Sequence, residues 1–228
     1  MGGSPFEADL SLRLGPLPVT RPVVMTWGLM AAIAAVCWLG TRRLRVRPGR
    51  LQSALEILVG ALASQVRDVL RQDPQPFLPL LGTLFIFLAV ANLSAIVPGL
   101  EPPTAHLETP AALALIVFLS VHFYGVRSQG LGKYLGHYLK PNPVMLPLHV
   151  LSEITRTFSL MVRLFGNVMS HEFIIGIVIS LAGFLVPVPL MALSVLIGIV
   201  QAYIFTILAT VYVGAAVGNA DHEGRQTP

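Results

Sequence analysis

The chain has 228 residues, of which 54% are hydrophobic and 11% charged, with a mean hydropathy of +0.75 and a formal net charge of +4. A soluble domain carries about 25% charged residues, so composition excludes that class and points to an integral membrane protein of several spans. The basic residues cluster beside apolar segments, which excludes a nucleic-acid-binding surface, and the single cysteine, Cys37, excludes an internal disulfide.

The first apolar run, Pro22–Gly40, is long enough to span a bilayer. The segment before it mixes Glu7, Asp9, Arg13 and Arg21, which is not the basic start of a cleavable signal peptide. Arg42, Arg43, Arg45, Arg47 and Arg50 follow, so this end is expected in the cytoplasm and the N-terminus outside. In Leu51–Gln72, apolar Leu51, Leu55, Leu58, Leu62, Val66 and Val69 recur at helical spacing, with Gln52, Glu56, Arg67, Asp68 and Arg71 between them. That pattern predicts an amphipathic helix lying at the membrane interface, with a partner-protein face as the alternative. Phe77–Val97 is a second span without charge. The loop Pro98–Pro110 holds Glu101 and Glu108 but no Lys or Arg, which suits the outside. Ala111–Val126 is the third span, returning to Arg127, Lys133 and Lys140 on the inside. Gly130–Pro147 reads as a connector.

Two long apolar runs follow, Leu148–Leu185 and Pro189–Val217, with Val186–Pro189 as the turn between them. As a helix the first would extend about 55 Å. The hydrocarbon core is about 30 Å thick, so such a helix must tilt strongly or break. The polar tail Asn219–Pro228 is expected in the cytoplasm. The fold class is therefore all-α: one multi-pass membrane domain over residues 1–228, with five spans and one interfacial helix.

The chemistry lies in the two long runs. Arg163 sits mid-segment among apolar residues, where burial of a cation costs about 2.5–3.5 kcal/mol on insertion scales. No carboxylate lies three or four residues away from it. Arg156, Ser159, Arg163, Asn167, Ser170 and His171 recur at helical spacing and form one polar stripe. Glu172 stands about 13 Å further along the axis and on nearly the opposite side from Arg163. The pair is thus expected in separate polar compartments, not in a local salt bridge. The last run offers Ser194, Gly198 and Gln201 on one face, where small residues permit close helix approach and Gln201 is expected to bond across the interface toward the Arg163 region. Glu153 and Arg156 are three apart, which also fits a plain surface ion pair. His122 fits a bundle histidine better than a proton relay.

His171-Glu172 is not a zinc-protease motif, because position 175 is Ile where a second histidine would stand. No Gly-rich phosphate loop and no Cys/His cluster with metal-ligand spacing occurs, so no nucleotide, metal or cofactor is expected on this chain.

The run Ser159-Leu160-Met161-Val162-Arg163-Leu164-Phe165-Gly166-Asn167 resembles the signature of subunit a of the F-type rotary ATP synthases. Glu153, Glu172, Gln201 and the loop Pro103–Thr109 support the resemblance, which covers most of the chain from Trp27 onward. Two positions depart from it. Thr157 stands where many members have proline, and Ser194 stands where some members place an ionisable partner in the last helix. The short chain and Thr157-Phe158 are similar to a divergent bacterial subgroup, some of whose members are suspected of moving sodium.

The resemblance implies a non-catalytic stator subunit in the bacterial inner membrane, held beside a ring of c subunits and a b-subunit peripheral stalk. It would form two offset half-channels for H⁺ or Na⁺. Arg163 would face the ring. With Arg163, the residues Glu172, Asn167, Gln201, His171 and Ser194 would take part in ion translocation, Glu172 with His171 being the main titratable group of the outer path; Glu153 and Arg156 would serve an inner path, and His106 and Glu108 an outer entrance. The competing reading is a secondary transporter whose Arg163 binds an anionic substrate. Such proteins commonly show paired halves, and this chain shows no duplication. A membrane scaffold without transport leaves the buried Arg163 and Glu172 unexplained.

Overall fold

The structure is a computed structural model that describes residues 10–14, 17–42, 49–96, 102–132, 134, 136, 146–182 and 187–223. Arg43, Arg45, Arg47, Glu101, Lys133, Lys140 and Val186 lie outside these, as does the stretch 183–185 assigned above to the first long run.

A short antiparallel hairpin, β1 (Leu10–Leu14) and β2 (Leu17–Thr20), leads into the first helix. The helices with full bounds among the described residues are α1 (Arg21–Thr41), α2 (Arg50–Leu70), α3 (Leu78–Leu93), α4 (Glu108–Gln129), α5 (Leu146–Ala182) and α6 (Pro187–Glu223), and Leu131, Gly132, Tyr134 and Gly136 of the expected connector are helical too. Single 3-10 turns occur at Ser94–Ile96 and Pro103–Ala105. Among the described residues, α1, α3, α4, α5 and α6 are long and apolar enough to cross a membrane. This is an all-α multi-pass membrane protein with one further, amphipathic helix, α2.

Several boundaries differ from those read in the sequence, among them the ends of α4, at Gln129 rather than Val126, and of α6, at Glu223 rather than Val217. The third span begins at Glu108 rather than Ala111, because an acidic residue in the first turn complements the positive end of the helix dipole. Leu146 and Pro147 belong to α5 rather than to the connector. Pro187 and Pro189 open α6 instead of forming a turn. A proline is tolerated there because the first-turn N–H groups have no intrahelical partner.

The core is built on α6. Ala202, Phe205, Ala209, Val213 and Val217 form a buried stripe at intervals of three and four. Leu81, Leu84 and Leu88 of α3 and Leu113, Ala114, Val117 and Val121 of α4 pack around it. Leu160 and Leu164 join from α5, and Val66 and Leu70 from α2. The α2 stripe is therefore partly spent on the bundle, while Ile57 on the same helix stays exposed. At the periphery, α1 leaves Trp27, Trp38 and Leu39 exposed. Each of α5 and α6 has 37 residues. At 1.5 Å per residue each is about 55 Å long, which makes both oblique to a bilayer of about 30 Å.

Two glycines of α6 lie close against neighbouring helices. A Cβ on Gly198 would stand 2.8 Å from Cβ of Asn92 in α3, and one on Gly214 would stand 2.7 Å from Leu70 Cδ2 in α2. The α3–α6 contact is a close approach that a methyl group would wedge apart, at a cost of about 1–3 kcal/mol. Gly28 of α1 faces open space. Gly198→Ala is expected to lower the thermal stability of the purified complex while Gly28→Ala leaves it unchanged, as read by a melting curve of the two variants beside wild type.

Candidate functional site

Leu160 and Leu164, 1% and 0% exposed, hold one side of α5 to the bundle. The other side is open. Arg156, Arg163, Asn167 and Ser170 are exposed there, beside the apolar Phe158 and Val162. Arg163 Nη2 donates to Ser159 Oγ one turn back, at a long 3.5 Å. Among the described residues no carboxylate lies within ion-pair distance of Arg163. Position 163 thus carries a permanent cation on an exposed face of a membrane helix without a counter-charge from the described chain.

Glu153 and Arg156, read above as an inner path, form an i, i+3 ion pair of 3.4 Å. The Arg156 guanidinium lies 5.5 Å from the centroid of the Tyr212 ring, which ties it to α6. Exposed pairs of this kind contribute little. Their geometry is that of a helix-surface pair, and it does not bring Glu153 to Arg163.

One turn beyond Arg163, Asn167 Nδ2 donates to Gln201 Oε1 across the α5–α6 contact at 2.6 Å. Gln201 is 3% exposed. It meets Asn167, not the arginine itself. Behind this bond is a cavity of about 30 Å³ whose polar lining is Asn92, Asn167, His171, Glu172, Ser194 and Gln201. That is room for one or two water molecules. Ser194 Oγ and Gln201 Nε2 are buried on its wall without a protein partner. A buried polar group left unpaired costs about 1–3 kcal/mol, so these two atoms favour water in the cavity. Five residues selected from the sequence therefore meet at one place, and Arg163 is not among them. Asn167 belongs to both settings: it is exposed beside Arg163 and also lines the cavity.

His106 caps the 3-10 turn at Pro103–Ala105, and Glu108 is exposed in the first turn of α4. Neither lines the cavity. Its remaining polar wall is Asn92, which the sequence reading passed over. This side chain is 4% exposed; Nδ2 donates to Gly198 O at 2.8 Å, and Oδ1 accepts from Thr104 Oγ1 at 2.9 Å. One amide thus fastens the Pro103–Ala105 turn and α6 to the end of α3. The available signal was a lone carboxamide in the last turn of an otherwise apolar span, a residue type that satisfies itself inside a bundle.

A family model for the ATP synthase A chain matches residues 23–214. The chain belongs to that family. Among its relatives is ATP synthase subunit a 2 of Bradyrhizobium sp. (strain BTAi1), 62% identical over 219 residues, which cover 96% of this chain and 98% of the relative. ATP synthase subunit a 2 of Pelobacter propionicus is 46% identical over 216 residues, covering 95% and 94%. ATP synthase subunit a 1 of Hahella chejuensis is 48% identical over 206 residues, covering 90% and 88%. As a member of this family the protein is a non-catalytic membrane-sector subunit. The Asn167–Gln201 bond is expected to couple the two residues by about 0.6 kcal/mol, and by at most about 1.7. A double-mutant cycle of Asn167→Ala and Gln201→Ala, read by thermal stability of the complex, measures it; strictly additive losses would show that the bond contributes nothing.

Proposed function

We propose that the chain is the stator that passes ions to and from a rotating ring of c subunits, coupling ion flow to ATP synthesis or hydrolysis. The observation that carries this reading is the position of Arg163. It stands exposed on α5 without a carboxylate partner among the described residues, one turn from Asn167 and outside the lining of the Glu172 cavity. An exposed cation on a membrane helix calls for an anion from outside the chain. A carboxylate carried by a ring subunit meets that need.

The energetics suit the task. At about 4 Å and an effective dielectric near 20, the attraction between unit charges is about 4 kcal/mol. That equals about three pKa units, since each unit is 1.36 kcal/mol. A ring carboxylate arriving at Arg163 would release its proton or cation, and one leaving would rebind. The guanidinium holds its own proton at every working pH, so it separates the two water-reached sides without carrying protons between them. Glu172, with His171, Ser194 and Gln201, serves the outer half-channel. Asn167 and Gln201 close it toward Arg163. In this reading the chain sits in the bacterial inner membrane with the N-terminus outside and the C-terminus in the cytoplasm. It also binds the b-subunit peripheral stalk and the lipid bilayer, and no nucleotide. A secondary transporter would need Arg163 to face an enclosed substrate site, whereas the cavity excludes it.

In vesicles carrying the whole complex, Arg163→Ala is expected to leave assembly intact and abolish ATP-driven pumping. Arg163→Lys is expected to be defective as well, because a lysine can lose its proton at such a site. Normal coupling in either variant, followed with a pH-sensitive dye and with ²²Na⁺ uptake, would refute the assignment. Glu172→Gln is expected to slow flux roughly tenfold, the effect of about 1.4 kcal/mol on a barrier, with the subunit content of the complex unchanged on a stained gel. Wild-type flux across a pH series would remove Glu172 from the path.

A further inference from the structure

A second recess, of about 400 Å³, lies away from the Glu172 cavity, where three spans run out. Phe77 stands just before α3, Phe123 and Arg127 belong to the last turns of α4, and Val217 ends the apolar stretch of α6. The recess is therefore at headgroup depth rather than in the hydrocarbon. It carries one charge of each sign, Asp73 from the α2–α3 junction and Arg127. Among the described residues neither is in an ion pair, with the other or with any third group. Asp73 Oδ1 accepts the Gln75 N–H at 3.2 Å, which directs the carboxylate from a fixed turn. Phe123 leaves 58% of its surface exposed along the rim.

Two separated, unneutralised charges of opposite sign in one recess complement a ligand that carries both. We infer that this recess seats the headgroup of a zwitterionic phospholipid with a primary ammonium, that is, phosphatidylethanolamine. The phosphate pairs with Arg127, which offers planar N–H donors to phosphate oxygens, and the exposed Ser128 hydroxyl of the same lining adds a donor. The ammonium donates to Asp73. The glycerol and upper acyl chain lie along the exposed Phe123 at the rim. A purely anionic headgroup would be repelled by Asp73. A choline headgroup has the right charges, but its methyl groups leave no N–H to donate to the carboxylate. The volume lies in the range of ordinary small-ligand sites.

The test uses the intact ATP synthase complex in nanodiscs of anionic phosphatidylglycerol mixed with either phosphatidylethanolamine or phosphatidylcholine, each doped with a headgroup-matched photoreactive analogue. The ethanolamine probe is expected to label the segments 73–77 and 123–128 at least about tenfold more than the choline probe. Asp73→Asn should abolish that preference, and Arg127→Gln should lower labelling by both probes, while pumping and melting temperature stay at wild-type values. Equal labelling by the two probes on the wild-type complex would overturn the proposal, whatever the variants do. So would labelling indifferent to both substitutions, or cross-links from a photoreactive residue at position 123 that run to another subunit instead of lipid.

Discussion

The hydrogen bond between Asn167 and Gln201 is the joint on which the site depends. It is a 2.6 Å contact between two carboxamides, one on each of the long helices. On one side of it is an open helix face with a permanent cation; on the other is a small polar cavity with a carboxylate. A single helix cannot separate two such compartments, because water would pass along its polar stripe. Two helices pinned by a short polar bond can. In the proposed reading this bond keeps the outer half-channel from opening directly onto the ring-facing side of Arg163.

The bond can form only because α6 is held close to its neighbours. Gly198, one turn before Gln201 on the same side of α6, leaves no room for a side chain against Asn92. Asn92 in turn bonds the Gly198 carbonyl and Thr104. The carboxamide ladder therefore runs from the Pro103–Ala105 turn through α3 to α6 and on to α5. Further along α6, Thr206 and Thr210 return their hydroxyls to carbonyls one turn back, which satisfies them within the helix. Among the described residues, Ser194 and Gln201 each keep a buried polar atom without a protein partner, and both belong to the cavity.

Fold class and spans were legible from hydropathy and charge, because in a bilayer every backbone polar group must pair locally and apolar length alone then specifies a helix. Arg163 was legible for a related reason: a cation among apolar residues is costly, so its presence is a signal. The separation of Arg163 from Glu172 followed from helical periodicity. Boundaries at Glu108, Leu146 and Pro187 were less legible, since dipole complementarity and proline at a first turn leave weaker traces than hydropathy.

Which groups share a compartment was decided only by the packing of one helix on another. Sequence spacing placed Gln201 on a face of α6 but could not say that it meets Asn167. It read Glu153 and Arg156 as an inner path or a surface pair, and the structure brings the two side chains to 3.4 Å. It missed Asn92, whose role arises from Gly198, 106 residues away. Local chemistry and periodicity are properties of a single segment, and one chain carries them openly. A cavity, a partition or a recess is made by several segments at once, so its existence depends on distances that no one segment contains.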